Sequence, residues 1–126
     1  MQTQYLMFNA IRYRTRHESK EQVIENIENA LGIKFVEPCT GYRNIVEEAI
    51  VAYPLGLEFR LNIWHDGNEL VFVLDGRTLI YRDWEKDDII KITDYIQELL
   101  ASKNLGNWYI PSSEESYRDA EKTGDV

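Results

Sequence analysis

A single cysteine, Cys39, stands in 126 residues, so the chain has no internal disulfide, and the expected compartment is the cytosol. Histidine is as scarce: only His17 and His65 titrate near neutral pH, and they lie far apart in sequence. Proline occurs three times and glycine seven, with Gly56, Gly67 and Gly76 isolated at turns rather than gathered into a phosphate-cradling loop ahead of a helix. No uncharged apolar run approaches the roughly 18 residues that span a bilayer. The first ten residues carry no basic region before an apolar stretch, so no signal peptide is expected.

What is abundant is negative charge. Acidic residues outnumber basic ones 22 to 14, for a net charge of −8. The division is uneven: Arg12, Arg14, Arg16 and Lys20 against Glu18 give the first 20 residues +3, leaving −11 on the other 106. Such a body repels nucleic acid and anionic membrane and attracts cationic proteins, at rates that fall with salt. With 44% hydrophobic and 12% aromatic residues the chain can bury the core of one domain.

The opening run from Tyr5 to Arg14 mixes aromatic and β-branched residues with alternating arginines, as in a strand ending at a wet edge. Ser19-Lys20-Glu21-Gln22 is a capping box that starts a helix over 20–31. Val23, Ile24, Ile27, Ala30 and Leu31 form its dry stripe, and Gly32 ends it. Residues 34–42 read as a connection. Four strands are then expected: Ala49 to Tyr53, Leu57 to Trp64, Leu70 to Leu74, and Thr78 to Tyr81. Pro54-Leu55-Gly56, Asp66-Gly67 and Asp75-Gly76 supply the turns between them. In the second strand Leu57, Phe59, Leu61 and Ile63 make a dry face, opposite a mostly wet one that holds Trp64. A second helix begins at Thr93 and runs to about 103, after a short extended run of isoleucines. Trp108 and Tyr109 should latch onto the body. Residues 112–126 are polar, with five acidic side chains, and read as a disordered tail. The expected fold is α+β: one domain over 1–111, an antiparallel meander of about four strands packed by two helices.

No catalytic or metal-binding pattern emerges. His65-Asp66 offers two adjacent ligands that point to opposite sides of a strand, where zinc wants three or four converging ones. Cys39 has no sequence-encoded base, and a cysteine near proline is ordinarily packed. Acidic pairs such as Glu47-Glu48 arise from composition alone. The basic cluster is better matched to the domain's own carboxylates, or to blunting an edge strand, than to phosphate. Recognition remains: Asp83, Glu85, Asp87 and Asp88 surround Trp84, the composition of an interface anchor for a basic protein surface. The competing reading is a solvated loop whose tryptophan packs inward. Glu47 and Glu48 complete the candidate set.

An opening strand, a helix ending Ala30-Leu31-Gly32-Ile33-Lys34, an alanine followed by Leu55-Gly56-Leu57, and a late Asp94-Tyr95-Ile96 helix followed by Gly106-Asn107-Trp108-Tyr109 make up a pattern over roughly residues 5 to 110. It resembles small immunity proteins of bacterial contact-dependent inhibition and related polymorphic toxin systems. The resemblance implies a cytoplasmic binding protein, not an enzyme, that neutralises one cognate toxin domain by covering its active site. That toxin is expected to be a basic nuclease. No cofactor, metal, nucleic-acid or membrane partner is implied. Two alternatives stand beside it: a small α+β ligand-binding protein or enzyme with a pocket near Trp64, Tyr53 or His65, and a structural or adaptor subunit that self-associates.

Overall fold

The computed structural model describes residues 4–37, 48–78 and 88–123. Strands β2 (Glu48–Ala52), β3 (Leu57–Asp66) and β4 (Glu69–Thr78) pair antiparallel in sequence order, with the β3/β4 hairpin closing where Asp66 faces Glu69. Strand β1 (Gln4–Thr15) adds to β4 antiparallel, and β5 (Asp88–Lys91) runs parallel to the start of β1. The sheet is therefore mixed and five-stranded, in the order β2-β3-β4-β1-β5. The α+β class holds, and two details of the expected meander change. The first strand lies inside the sheet, not at an edge. The isoleucine run supplies a fifth, parallel strand.

Two local devices set the register. Phe8 faces Gly76 and Ile11 faces Leu74, so β1 spends one extra residue as a bulge between them. The bulge turns both Phe8 and Ile11 into the same core and leaves Ala10, Arg12 and Arg14 on the other side. Asp75-Gly76, expected to turn the chain, continues β4 instead. A Cβ on Gly76 would lie 2.6 Å from carbons of the Phe8 and Phe59 rings, which meet edge to face above it. The glycine is there for close approach, not for a turn. Of the strand expected over Thr78 to Tyr81, Thr78 ends β4 and the rest lies outside the described residues.

Helix α1 (Lys20–Leu31) begins and ends where expected: the Ser19 hydroxyl accepts from the Gln22 amide at 3.1 Å, and Gly32 adopts φ 66°. The Gln22 side chain does not reach back to complete the box; it donates to Asn26 along the helix. Helix α2 (Thr93–Ser102) starts at the later of the two candidate positions, but Thr93 does not cap it. Its hydroxyl accepts from the Asn9 amide and so ties the helix to β1. Val23 and Ile27 of α1 with Ile96 and Leu100 of α2 cover one face of the sheet, over Phe8, Ile11, Phe59, Leu61, Ile63, Phe72 and Leu74. Trp108 latches into this core, stacked on Tyr13 at 5.2 Å, with its indole N–H donating to the Leu105 carbonyl.

The other face of the sheet is also covered. A third helix, α3 (Ser113–Thr123), lies where a disordered tail was expected. Its start is a capping box: the Ser112 hydroxyl accepts from the Glu115 amide and the Glu115 carboxylate accepts from the Ser112 amide. Composition alone reads this segment as disordered because its acids find no apolar stripe to support them. Two of them, Glu115 and Asp119, are instead counter-ions for Arg12 on the sheet. The face of β3 expected to be mostly wet is consequently dry at Asn62 and Trp64, and Trp64 packs with Val71, Val73 and Ala10. No helix among the described residues is long and apolar enough to cross a membrane.

Candidate functional site

The polar chemistry of the described residues concentrates between the sheet and α3. Arg12 reaches this face because of the bulge in β1, and it is only 6% exposed. Its guanidinium donates to Glu115 at 2.8 Å, to the Tyr109 hydroxyl at 2.8 Å, and to both oxygens of Asp119 at 3.1 and 3.3 Å. Tyr109 in turn donates to Glu115 at 2.8 Å and exchanges backbone hydrogen bonds with Arg12. Burial raises the Asp119 carboxyl above its ordinary range against the pull of Arg12. Glu115 is held below its ordinary range, first by the Ser112 amide and then by the Tyr109 hydroxyl. Burial alone would lower the Arg12 value, but Tyr109 and Asp119 outweigh it and hold the guanidinium above normal.

Arg14, the next arginine on this face, donates to Asp66 at 2.7 Å and Glu69 at 3.3 Å. Between them Arg12 and Arg14 engage four carboxylates, so these two arginines of the basic opening are neutralised from within. A cavity of about 220 Å³ lies beside them, lined by Trp64, His65, Arg118 and Lys122 among others. A smaller one of about 100 Å³ lies between Asn62 and α3. No three of His, Cys, Asp and Glu among the described residues gather as metal ligands would.

The opposite, helical layer has the reverse character. Glu21 and Glu25 on α1 and Asp94 and Glu98 on α2 are exposed, and each pair is spaced four residues apart on one helix. Like charges at that spacing repel, costing about 0.2–0.5 kcal/mol per pair in isolated helices. None of the four joins an ion pair among the described residues. Tyr95, next to Asp94, is 64% exposed, the most open of the large hydrophobic side chains among the described residues. Sequence reasoning passed over this surface because its acids are spread along two helices instead of crowded into one segment. The signal was the repeated acid at four-residue spacing.

Of the candidates taken from the sequence, Glu47, Asp83, Trp84, Glu85 and Asp87 lie outside the described residues, as does Cys39. Glu48 opens β2 and Asp88 opens β5, at the two edges of the sheet. Glu48 is in the row of Ile63, Phe72 and Tyr13, whereas Asp88 faces Gln4. Four strand spacings and nine residues along β1 put their backbones roughly 35 Å apart. The structure does not bring these two together in one compact patch.

Tyr13, at the edge of the helical core, gives a readable probe of this packing. Its hydroxyl donates to Glu18, and burial together with that carboxylate pushes its ionisation from 10.0 up to about 12. The folded value lies above the unfolded one, so the stabilisation is complete below pH 10 and is lost as pH rises toward 12. Absorbance titration should show a tyrosinate component near pH 12 that disappears in Tyr13→Phe; a wild-type curve superimposable on the variant's in that range would refute the assignment. Compared with family models, curated proteins and solved structures, the chain matches none.

Proposed function

We propose that this chain is a binding protein of the immunity type, which neutralises a cognate basic toxin domain by laying an acidic surface over its active cleft. The observation that carries the reading is the separation of charge. The arginines of β1 are consumed by internal carboxylates, while α1 and α2 hold Glu21, Glu25, Asp94 and Glu98 outward without an ion-pair partner among the described residues. Repulsion within each acidic pair is relieved when a cationic surface approaches, so the partner recovers what the isolated fold gives up. Tyr95 supplies an aromatic anchor inside that field. A nuclease cleft is basic because it must hold polyphosphate, and an acidic domain enters it as a mimic.

The direct test is co-expression with the product of the adjacent upstream gene, followed by purification on the present chain. Retention of a small basic domain, with an association rate that falls at least about tenfold between low and physiological salt, is the expected result. Two variant sets locate the surface: Asp94→Lys with Tyr95→Ala and Glu98→Lys on α2, and Trp84→Ala with Asp87→Lys in the segment named from the sequence. Nothing retained, or an association rate indifferent to salt, would sink the proposal.

A further inference from the structure

Asn62 lies on β3 in the phase that faces α3, and it is 1% exposed. Neither its Oδ1 nor its Nδ2 has a hydrogen-bond partner among the described residues. Buried carboxamides are ordinarily satisfied, because leaving both ends unpaired forfeits the hydration they had in the unfolded chain. Packing alone would be served by leucine at this position, since the neighbouring Val71, Val73 and Trp64 are apolar. Asn62 instead borders the cavity of about 100 Å³, whose other walls include Ala10, Val73, Pro111 and Ser116. The charged groups beside it are committed elsewhere: Asp119 to Arg12, and Asp75 to Arg60 at 3.4 Å.

We infer that this cavity is a binding site for a small neutral molecule with a primary carboxamide or urea-type edge, read by Asn62. A carboxamide presents a donor and an acceptor side by side, and the partner that satisfies both at once carries the same pair reversed. Oδ1 then accepts from the ligand N–H while Nδ2 donates to the ligand carbonyl. An ion fits less well, because no uncommitted counter-charge lines the cavity and an unpaired buried charge is costly. Half of the wall is apolar, from Ala10, Val73, Pro111 and Ala120, and half polar, from Asn62, Asp75, Ser116 and Asp119, so a ligand with an amide edge and a small apolar remainder matches both halves, whereas water engages only the polar one.

Size limits the recognised end of the ligand. A cavity of roughly 150 Å³ holds benzene, so this one admits about four to six non-hydrogen atoms. It shares Ala10 and Asp75 with a groove of about 390 Å³ bordered by Glu58, Arg60 and Arg77, which offers room for the rest of a larger molecule. The site is on the opposite face from α1 and α2, so it does not depend on the partner reading above.

Amide NMR on the full chain, titrated with acetamide and nicotinamide, tests the site. Saturable shifts of the Asn62 side-chain NH₂ and of the Ala10, Val73, Ser116 and Ala120 amides are expected, with dissociation constants on the order of millimolar. N,N-dimethylacetamide, which has no N–H to offer, should bind about tenfold more weakly or worse. Asn62→Leu should retain a folded spectrum and lose the response. Ala120→Leu, which fills the cavity from the helix side, should lose it as well. Shifts that never saturate, an equal response to the dimethyl control, or binding that persists in Asn62→Leu would overturn the assignment.

Discussion

Replacing Arg12 by alanine is expected to destabilise the chain by about 3–5 kcal/mol, the range for removing one member of a buried ion pair. The substitution leaves Asp119, 7% exposed, without the guanidinium that offsets its desolvation. Undocking α3 is the cheapest relief, because it returns Asp119 and Glu115 to water. The loss should therefore be visible first as rapid hydrogen exchange and proteolytic cutting within residues 113–123, before the sheet opens. Replacing the whole cluster with apolar side chains, as in Arg12→Met with Asp119→Leu and Glu115→Leu, should recover much of the stability, since no buried charge then remains. Urea denaturation gives both numbers. A cost below about 1 kcal/mol for Arg12→Ala would mean that the network is solvated and marginal.

Gly106→Ala should cost about 3 kcal/mol or more, for two reasons that add. Gly106 has φ 97°, a conformation that L side chains rarely adopt. A Cβ there would also lie 2.3 Å from Cε1 and 2.6 Å from Cζ of Tyr13. That ring cannot swing aside freely: it stacks on Trp108, tilts against Phe72 at 6.2 Å, and donates its hydroxyl to Glu18. Thermal and urea unfolding of Gly106→Ala in the wild-type and Tyr13→Ala backgrounds separates the two contributions. The overlap term should vanish in the second background and the backbone term should persist. Equal costs in both would leave backbone conformation as the sole cause.

How much of this was legible in the residues depends on whether the deciding interaction was local. Ser19 and Gly32 act within a few positions of α1, and both of its ends are where the sequence puts them. The alternation of Leu57, Phe59, Leu61 and Ile63 likewise places one face of β3 in the core. The opposite face could not be read the same way, because the burial of Asn62 and Trp64 depends on a helix about 50 residues downstream. The Ser112 and Glu115 capping box was present in the sequence, yet the polar composition around it outweighed it. Asp75-Gly76 carries the chemistry of a turn, and only the two phenylalanine rings crossing it explain an uninterrupted strand. For the site, net acidity and its uneven division along the chain were legible, but its placement in space was not. The arginines of β1 had to be placed beside their carboxylates before the unneutralised acids of α1 and α2 stood out.

The hydrogen bonds from Arg12 to Asp119 join positions 107 residues apart, across nearly the whole chain. During synthesis β1 leaves the ribosome first and waits for β4, then β5, then Tyr109, and last for Glu115 and Asp119. At about 5–20 residues per second that interval is on the order of 5–20 s, in which the first strand has sheet-forming sequence and unsatisfied edges. Charged side chains on an unpaired strand oppose edge-to-edge association. The two arginines whose charges fasten the finished fold thus stand on the strand that waits longest for its partners.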